Sequence, residues 1–241
     1  MYLYNERGLS LLKAYFTNKF YDAHLLKFES IHELLINNEI HTILDIGSYN
    51  GSDAIILSRI FSKATIYCFE ADNNNFKKLV ENVQFNKRIV PINIAVSDKE
   101  EVLEFYPSDG KNNEEDFKGS GSILKPTSKH SEIWGNLVFN DPLKVKAVSI
   151  NSWAKANNIN QIDFVWMDVQ GAELKVLKGF EELLPTTKAV ILEIWDNTDY
   201  YQDSVSFASL QSFFAANNFR MSNLWKMYFS GDALFINGKY Y

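Results

Sequence analysis

Residues Thr42 to Gly51 read T-I-L-D-I-G-S-Y-N-G, an apolar run enclosing Asp45 that leads through Gly47 into a short polar turn closed by Gly51. Apolar residues at helical spacing follow from Ala54 to Phe61, so the pattern is strand, tight turn, helix. Glycines at 47 and 51 let the backbone turn sharply and let a ligand approach it closely. The N–H groups at the start of a helix have no intrahelical partner and carry partial positive charge, so a small anionic group can settle there. A second apolar run, Thr65 to Ala71, ends at Glu70. An acid at the tip of the second strand of such a unit can accept both hydroxyls of a ribose. The stretch therefore points to a nucleoside-containing ligand at the carboxyl ends of a parallel sheet.

Outward from this unit, Asp72 to Asn75 supply capping side chains, and Phe76, Leu79, Val80 and Val83 mark a second crossover helix. Ile89 to Ser97 reads as a third strand with Pro91 near its start, where a missing N–H costs least. Strand and helix alternating in this way imply a parallel sheet with right-handed crossovers. The rhythm breaks at Val102 to Tyr106, which reads as another strand. A polar passage rich in glycine and serine follows from Lys111 to Asn140, and an alternating strand from Leu143 to Ile150. An insert at about 107–146 is expected to be a substrate loop or a mobile excursion. Its most site-like members are His130, an imidazole for proton transfer, and Trp134, an indole against which a sugar ring can pack; each also fits an ordinary loop residue.

Ile162 to Val169 is continuous enough in apolar character to be a central strand, with Asp168 at its end. Gly171 opens a helix carrying Leu174, Leu177, Phe180 and Leu184, which Pro185 stops. Ala189 to Trp195 is the next strand, ending around Glu193. Phe207, Leu210 and Phe214 mark a helix that ends at Asn217 and Asn218. Phe219 to Met227 and Asp232 to Asn237, parted by Ser230-Gly231, close the chain as a hairpin. Before the first strand, Leu9, Leu12, Phe16 and Phe20 share one helical face and Phe28, Ile31 and Leu35 another. Residues 1–40 are thus read as N-terminal helices serving as a lid or as the contact of a homodimer, and 41–241 as the main domain.

The 241 residues carry a net charge of -6, which offers no broad attraction for phosphate backbones or anionic lipid. Nucleic acid is not expected as a partner. The longest apolar run, Ala189 to Trp195, falls far short of the roughly 20 residues of a membrane span, and the charged residues among the first 25 do not resemble a signal peptide. A cytoplasmic location is the expectation. The single cysteine, Cys68, reads as a buried small hydrophobe.

A nicotinamide-binding turn wants G-x-G-x-x-G, and the middle glycine is absent here. The phosphate-cradling G-x-x-x-x-G-K-[ST] is absent too. A ligand with a ribose but no pyrophosphate fits better, and S-adenosylmethionine is one. Methyl transfer to a hydroxyl needs in-line approach and a group to take the proton, roughly 10²- to 10⁴-fold in rate. Asp168 and Glu193, at neighbouring strand ends, can each be that base. Together with Asp196 or Asn197 they can instead hold a divalent metal, which is left unassigned. Asp168 can also cap the helix opening at Gly171, and Glu173 reads as a first-turn acid favouring the helix dipole.

D-I-G-S-Y-N-G, C-F-E-A, N-I-A-V-S-D, the line from Ile150 to Leu184 containing D-V-Q-G-A-E, and I-L-E-I together resemble an FkbM-type S-adenosylmethionine-dependent methyltransferase over about Thr42 to Phe235. The resemblance implies an α/β, Rossmann-like class I methyltransferase sandwich with strand order 3-2-1-4-5-7-6 and the seventh strand antiparallel. It also implies O-methylation of a sugar, either nucleotide-linked or within a surface polysaccharide or glycan precursor. Carried over, Asp45, Gly47 and Gly51 match the cofactor turn, Glu70 the ribose acid, the stretch from Ala95 the part bordering adenine, and Asp168 and Glu193 the acidic strand ends. With Ser48, Asn50, Ala71 and Val96 beside them these make the expected cofactor set, which includes Asp168. Asp168 and Glu193, joined by His130 of the insert outside the resemblance, make the expected catalytic set. Ser48-Tyr49-Asn50 departs from the family's common G-A-N-x-G, and Gln170 stands where Glu is frequent. The rival readings are a cofactor-binding interaction module without catalysis and an NAD-dependent oxidoreductase.

Overall fold

The computed structural model describes residues 19–111, 117–196, 198–227 and 229–241. The chain divides into two compact units, Met1–Glu39 and Ile40–Tyr241. In the first, α1 (Lys19–Leu35) contains Phe28, Ile31 and Leu35; the helix expected over Leu9, Leu12 and Phe16 lies outside the described residues.

The second unit opens with β1 (Thr42–Ile46), buried from Ile43 onward, which turns into α2 (Ser52–Ile60). Next come β2 (Thr65–Phe69) and α3 (Asn73–Val83). The Asp72 carboxylate caps α3 by accepting from the N–H groups of Asn74 and Asn75, an arrangement worth about 1 kcal/mol. The strand expected over Ile89 to Ser97 is two strands, β3 (Ile89–Ile92) and β4 (Ala95–Val96), in different sheets. The Asn93 amide donates to the Glu70 carbonyl and the Ile94 N–H turns back onto Ile92, which diverts the chain between them.

After β5 (Glu101–Phe105) the insert is more ordered than its composition implies. β6 (Ser108–Gly110) pairs antiparallel with β7 (Leu137–Phe139), and α4 (Lys129–Ile133) lies between them in sequence. β8 (Leu143–Val148) is the centre of a three-stranded sheet, parallel to β4 and antiparallel to β5. Ser149 caps α5 (Ile150–Ala156), and β9 (Phe164–Met167) is buried at every residue. α6 (Glu173–Lys178) is shorter than expected and ends at Gly179. A side chain there would put its Cβ 2.3 Å from the Ser97 carbonyl oxygen, so the end of the helix packs directly against the chain leaving β4. β10 (Ala189–Trp195), α7 (Phe207–Ala216), β11 (Phe219–Met227) and β12 (Ser230–Asn237) complete the chain. Ser230-Gly231, expected as the hairpin turn, belongs to β12.

The large sheet has the order β3-β2-β1-β9-β10-β12-β11. β1 is parallel to β2 and β9, β9 to β10, and β12 is antiparallel to both its neighbours. This is the class I methyltransferase order that the sequence resemblance implies. The chain reverses its direction of travel across the sheet at β1, and ligands of such folds bind outside the carboxyl ends of the strands at that point. Leu44, Val165, Val190, Phe180, Phe214 and Phe235 form part of the core on the sheet, with Phe214 stacked on Phe235 at 4.0 Å. At the opposite ends of the strands, buried Asp163 accepts from the Lys188 ammonium and from the N–H groups of His41 and Thr42. Burial alone would raise its pKa; these donors, with Gln161, win and hold it below the ordinary value. The pair pins β1, β9 and β10 at the edge away from the site. Among the described residues no helix is long and apolar enough to cross a membrane.

Candidate active site

The turn after β1 is held by its own chain. Gly47 and Ser48 both donate to the Phe69 carbonyl, at 2.9 and 3.0 Å, and the Ser48 hydroxyl donates to the Asp45 carbonyl. Gly47 has φ +84, and a Cβ on it would lie 1.8 Å from the carbonyl oxygen of Asp168. Only glycine lets the ends of β1 and β9 meet this closely. Gly51, the N-cap of α2, is left-handed as well, and a Cβ there would meet Leu79 at 2.6 Å. Asn50 accepts from the Ser52 N–H, fixing the entry to the helix. Asp45 is buried, with Oδ2 unpartnered. Burial, then the charge of Asp53, raises its carboxyl well above the usual range.

Glu70 Oε2 accepts from the Tyr49 N–H at 2.7 Å and Oε1 from the Asp72 N–H at 2.8 Å. Each oxygen keeps a further lone pair for a ligand. Burial pushes the Glu70 pKa up to about 8, against the two backbone donors that favour its charged form. Glu70 borders a cleft of about 520 Å³ that is open to solvent. Of the residues named from sequence, Gly47, Glu70, Ala71, Ala95, Val96 and Asp168 line it. Asp45, Ser48, Asn50 and Gly51 build the turn but are not part of the lining.

Part of the wall is not among the site residues expected from sequence: Phe105 of β5 and, from the insert, Gly119, Gly121, Ser122 and Ile123. The insert is fastened there by long-range hydrogen bonds. Asn75 Nδ2 donates to the Lys118 carbonyl at 2.9 Å, and the Ser122 hydroxyl to the Gln170 carbonyl at 2.8 Å. The Gly-Ser-Gly-Ser run at 119–122 was the available signal: small residues leave room for a ligand, and a Cβ on Gly121 would already strike Phe105 at 2.6 Å.

Beyond the cleft, β9 ends in a tight loop in which Gln170 (φ 53) and Gly171 (φ 93) are both left-handed, a conformation of order 1–3 kcal/mol in cost for a non-glycine residue. It brings the Gln170 amide nitrogen to 2.7 Å from both Asp168 Oδ1 and Glu193 Oε2. Tyr201 donates to Gln170 Oε1 at 3.1 Å and to the Ser120 carbonyl at 2.9 Å. Glu193 is not at the end of β10. It sits two residues inside, opposite Asp232 of β12. Burial, then the charges of Asp168 and Asp232, raise the Glu193 carboxyl well above the ordinary range, and burial likewise raises Asp168. Glu173, whose carboxylate accepts from the Gly171 N–H at 3.0 Å, is pushed by burial to about 7.

His130 is not an exposed loop imidazole. It is 1% exposed, its ring 4.4 Å from that of Tyr201 and 5.5–5.7 Å from Trp134, Tyr200 and Trp195. Among the described residues neither nitrogen has a hydrogen-bond partner, and burial lowers its pKa to about 4, so it is neutral at pH 7. Among the described residues no three His, Cys, Asp or Glu side chains are grouped to hold a metal ion. Asn197 lies outside the described residues.

The chain belongs to the FkbM methyltransferase family, whose domain model matches residues 45–221. It is 35% identical over 159 residues to the 2-O-methyltransferase NoeI of Sinorhizobium fredii, covering 66% of this chain and 65% of that protein. It is 26% identical over 163 residues to the hexuronic acid methyltransferase AglP of Haloferax volcanii, covering 67% and 59%. The chain thus spans a little under two thirds of the length of these relatives. Among solved structures, a SAM-dependent methyltransferase from Aquifex aeolicus aligns with a TM-score of 0.47 and 13% identity, over 86% of this chain and 87% of that one.

Proposed function

We propose that this protein is an S-adenosylmethionine-dependent O-methyltransferase acting on a hydroxyl of a sugar. The observation that carries the reading is one continuous cleft: Glu70 stands at one part of its wall and Asp168, held with Glu193 by Gln170, at another. Membership of the methyltransferase family and the two sugar-modifying relatives support it.

The residues fit the cofactor. A glycine whose Cβ is excluded lets a ligand lie against the backbone at Gly47, Glu70 keeps lone pairs for ribose hydroxyls, and Ala71, Ala95 and Val96 give a mainly apolar border for the base. When bound, the cofactor supplies an electrophilic methyl group on a sulfonium. The chain's own part is to remove the proton of the attacking hydroxyl and to hold that hydroxyl in line. Asp168 and Glu193 do so as a pair: a carboxylate whose pKa stands above its ordinary value is the stronger proton acceptor once ionised. The Gln170 amide, donating to one oxygen of each, fixes their spacing.

Calorimetric titration with S-adenosylhomocysteine, paired with mass-spectrometric detection of methylated glycosides, tests the reading. Binding in the wild type and in Asp168→Asn and Glu193→Gln, with product formed by the wild type alone, is expected. No binding, or undiminished turnover in both variants, overturns it.

A further inference from the structure

The insert and β10 build a second wall that the cofactor cleft does not include. β10 alternates its side chains, so Glu193 and Trp195 lie on one face. Trp195 meets Trp134 edge to face at 5.8 Å and Tyr200 at 4.9 Å, and Trp134 also meets Phe229 at 5.9 Å. His130 fills the space behind them. Tyr200 and Tyr201 are buried, whereas Trp134 and Trp195 are only half-buried and Phe229 is 41% exposed. The cluster therefore presents indole surface to solvent beside the carboxylate pair.

Two features distinguish it from an ordinary local core. Its polar atoms are orphaned: among the described residues, Trp195 Nε1 and both nitrogens of His130 are buried with no hydrogen-bond partner, and such groups are rare without a ligand or a water to meet them. It is also wired to the proposed chemistry, because Tyr201, 4.4 Å from His130, donates to Gln170, and Gln170 holds Asp168 and Glu193. A sugar ring matches this wall, having C–H faces that pack on the half-buried indoles and hydroxyls that can accept from the Trp195 N–H at their edge.

The charge decides the kind of sugar. Burial, then the charges of Asp168 and Asp232, already raises the Glu193 carboxyl, and the charge of Asp232, opposite Glu193 on β12, also opposes ionisation of Asp168. At the other side of the wall, Asp196 accepts from the Tyr200 hydroxyl, and the Lys129 ammonium is bound by Asp199 at 2.7 Å. A uronic acid would bring a further carboxylate into this field with strong repulsion.

We infer that the wall formed by Trp134 and Trp195, backed by the buried Tyr200, is the acceptor subsite and that it takes an uncharged sugar ring in preference to a hexuronic acid. The inference rests on the methyltransferase reading above. It is tested on the full chain saturated with S-adenosylhomocysteine, by saturation-transfer NMR with the methyl glycosides of glucose, galactose and mannose and with their uronate counterparts. Saturation transfer to at least one neutral glycoside is expected, with its uronate binding at least fivefold more weakly. Trp134→Ala should weaken the neutral glycoside at least tenfold, and Trp195→Phe, which keeps a ring but removes Nε1, about threefold to tenfold. Both variants should bind S-adenosylhomocysteine within twofold of the wild type, which also certifies their folding.

Failure of the wild type to bind S-adenosylhomocysteine overturns the methyltransferase reading. The subsite alone is overturned if the cofactor product binds but no neutral glycoside does, if uronates bind as well or better, or if Trp195→Phe leaves glycoside affinity unchanged.

Discussion

The backbone N–H of Tyr49 donates to Oε2 of Glu70 at 2.7 Å, joining the turn after β1 to the tip of β2. One carboxylate thus shapes the cofactor turn and faces the cleft. At a pH above about 8, where Glu70 is ionised, replacing it with Ala removes a charged acceptor from both tasks. S-adenosylhomocysteine affinity is expected to fall by about 1.5–3 kcal/mol, the usual worth of hydrogen bonds to a charged group. Calorimetry on the variant checks it, and an affinity equal to that of the wild type would detach Glu70 from the ligand.

The same burial gives stability a pH dependence. Glu70 and Glu173 are pushed to about 8 and about 7 in the folded chain, against an ordinary value of 4.5. Between those limits the folded state binds more protons than the unfolded one, so stability falls as pH rises. The contribution is complete below about pH 4.5 and lost as pH passes through about 7 to 8. His130 acts oppositely: its folded pKa of about 4 lies below the ordinary 6.5, so it costs stability as pH falls through 6.5. Between pH 6.5 and 8.5 the opposing His130 contribution is only about 0.4 kcal/mol, so urea unfolding at the two values should show a net loss of about 2 kcal/mol. Glu70→Gln should flatten that slope; an equally steep slope in the variant would assign it elsewhere.

Gly47→Ala tests the junction of β1 and β9. The new methyl would have to occupy a position 1.8 Å from the Asp168 carbonyl oxygen, at a φ of +84 that alanine disfavours. The strands must part, moving Asp168 with them. We expect at least about 3 kcal/mol of destabilisation, at the upper end for a single substitution, and a melting temperature lower by roughly 6–12 °C for a chain of this size. Thermal unfolding followed by circular dichroism measures it; a change under 2 °C would mean that the junction yields at little cost.

What the sequence discloses depends on how local the cause is. The β1 turn was legible because Gly47, Gly51 and the apolar run around Asp45 act within ten residues. The parallel rhythm then implied a ligand edge, and Glu70 and Asp168 were found on it. Glu193 reads as a strand end, yet β10 runs two residues further because Trp195 pairs with Ser230 of a strand distant in sequence. The insert was least legible. Its polar composition gives no sign that Ser122 reaches Gln170, or that His130 is enclosed by Trp195, Tyr200 and Tyr201, since those partners come from distant elements. Gln170 stood out only as a departure from the family's usual Glu, and its meaning needed the positions of both carboxylates.

Gln170 offers the sharpest mechanistic test. Its amide nitrogen donates at 2.7 Å to each of Asp168 and Glu193, and its amide oxygen is satisfied by Tyr201. Gln170→Leu keeps a similar volume but deletes the donor, leaving two buried carboxylates whose repulsion is no longer relieved. Gln170→Glu keeps the shape and adds a third acid in the same place. In both variants the carboxylates should move apart or hold an extra proton, and either change removes the base from its working position. We expect kcat to fall about 10²- to 10³-fold, within the range of general-base contributions, while S-adenosylhomocysteine affinity stays within threefold because Gln170 does not line the cofactor cleft. The Glu variant should recover part of its rate at higher pH, as the extra proton leaves, and the Leu variant should not. Equal rates and identical pH profiles in both variants would show that Gln170 supports the loop and nothing more.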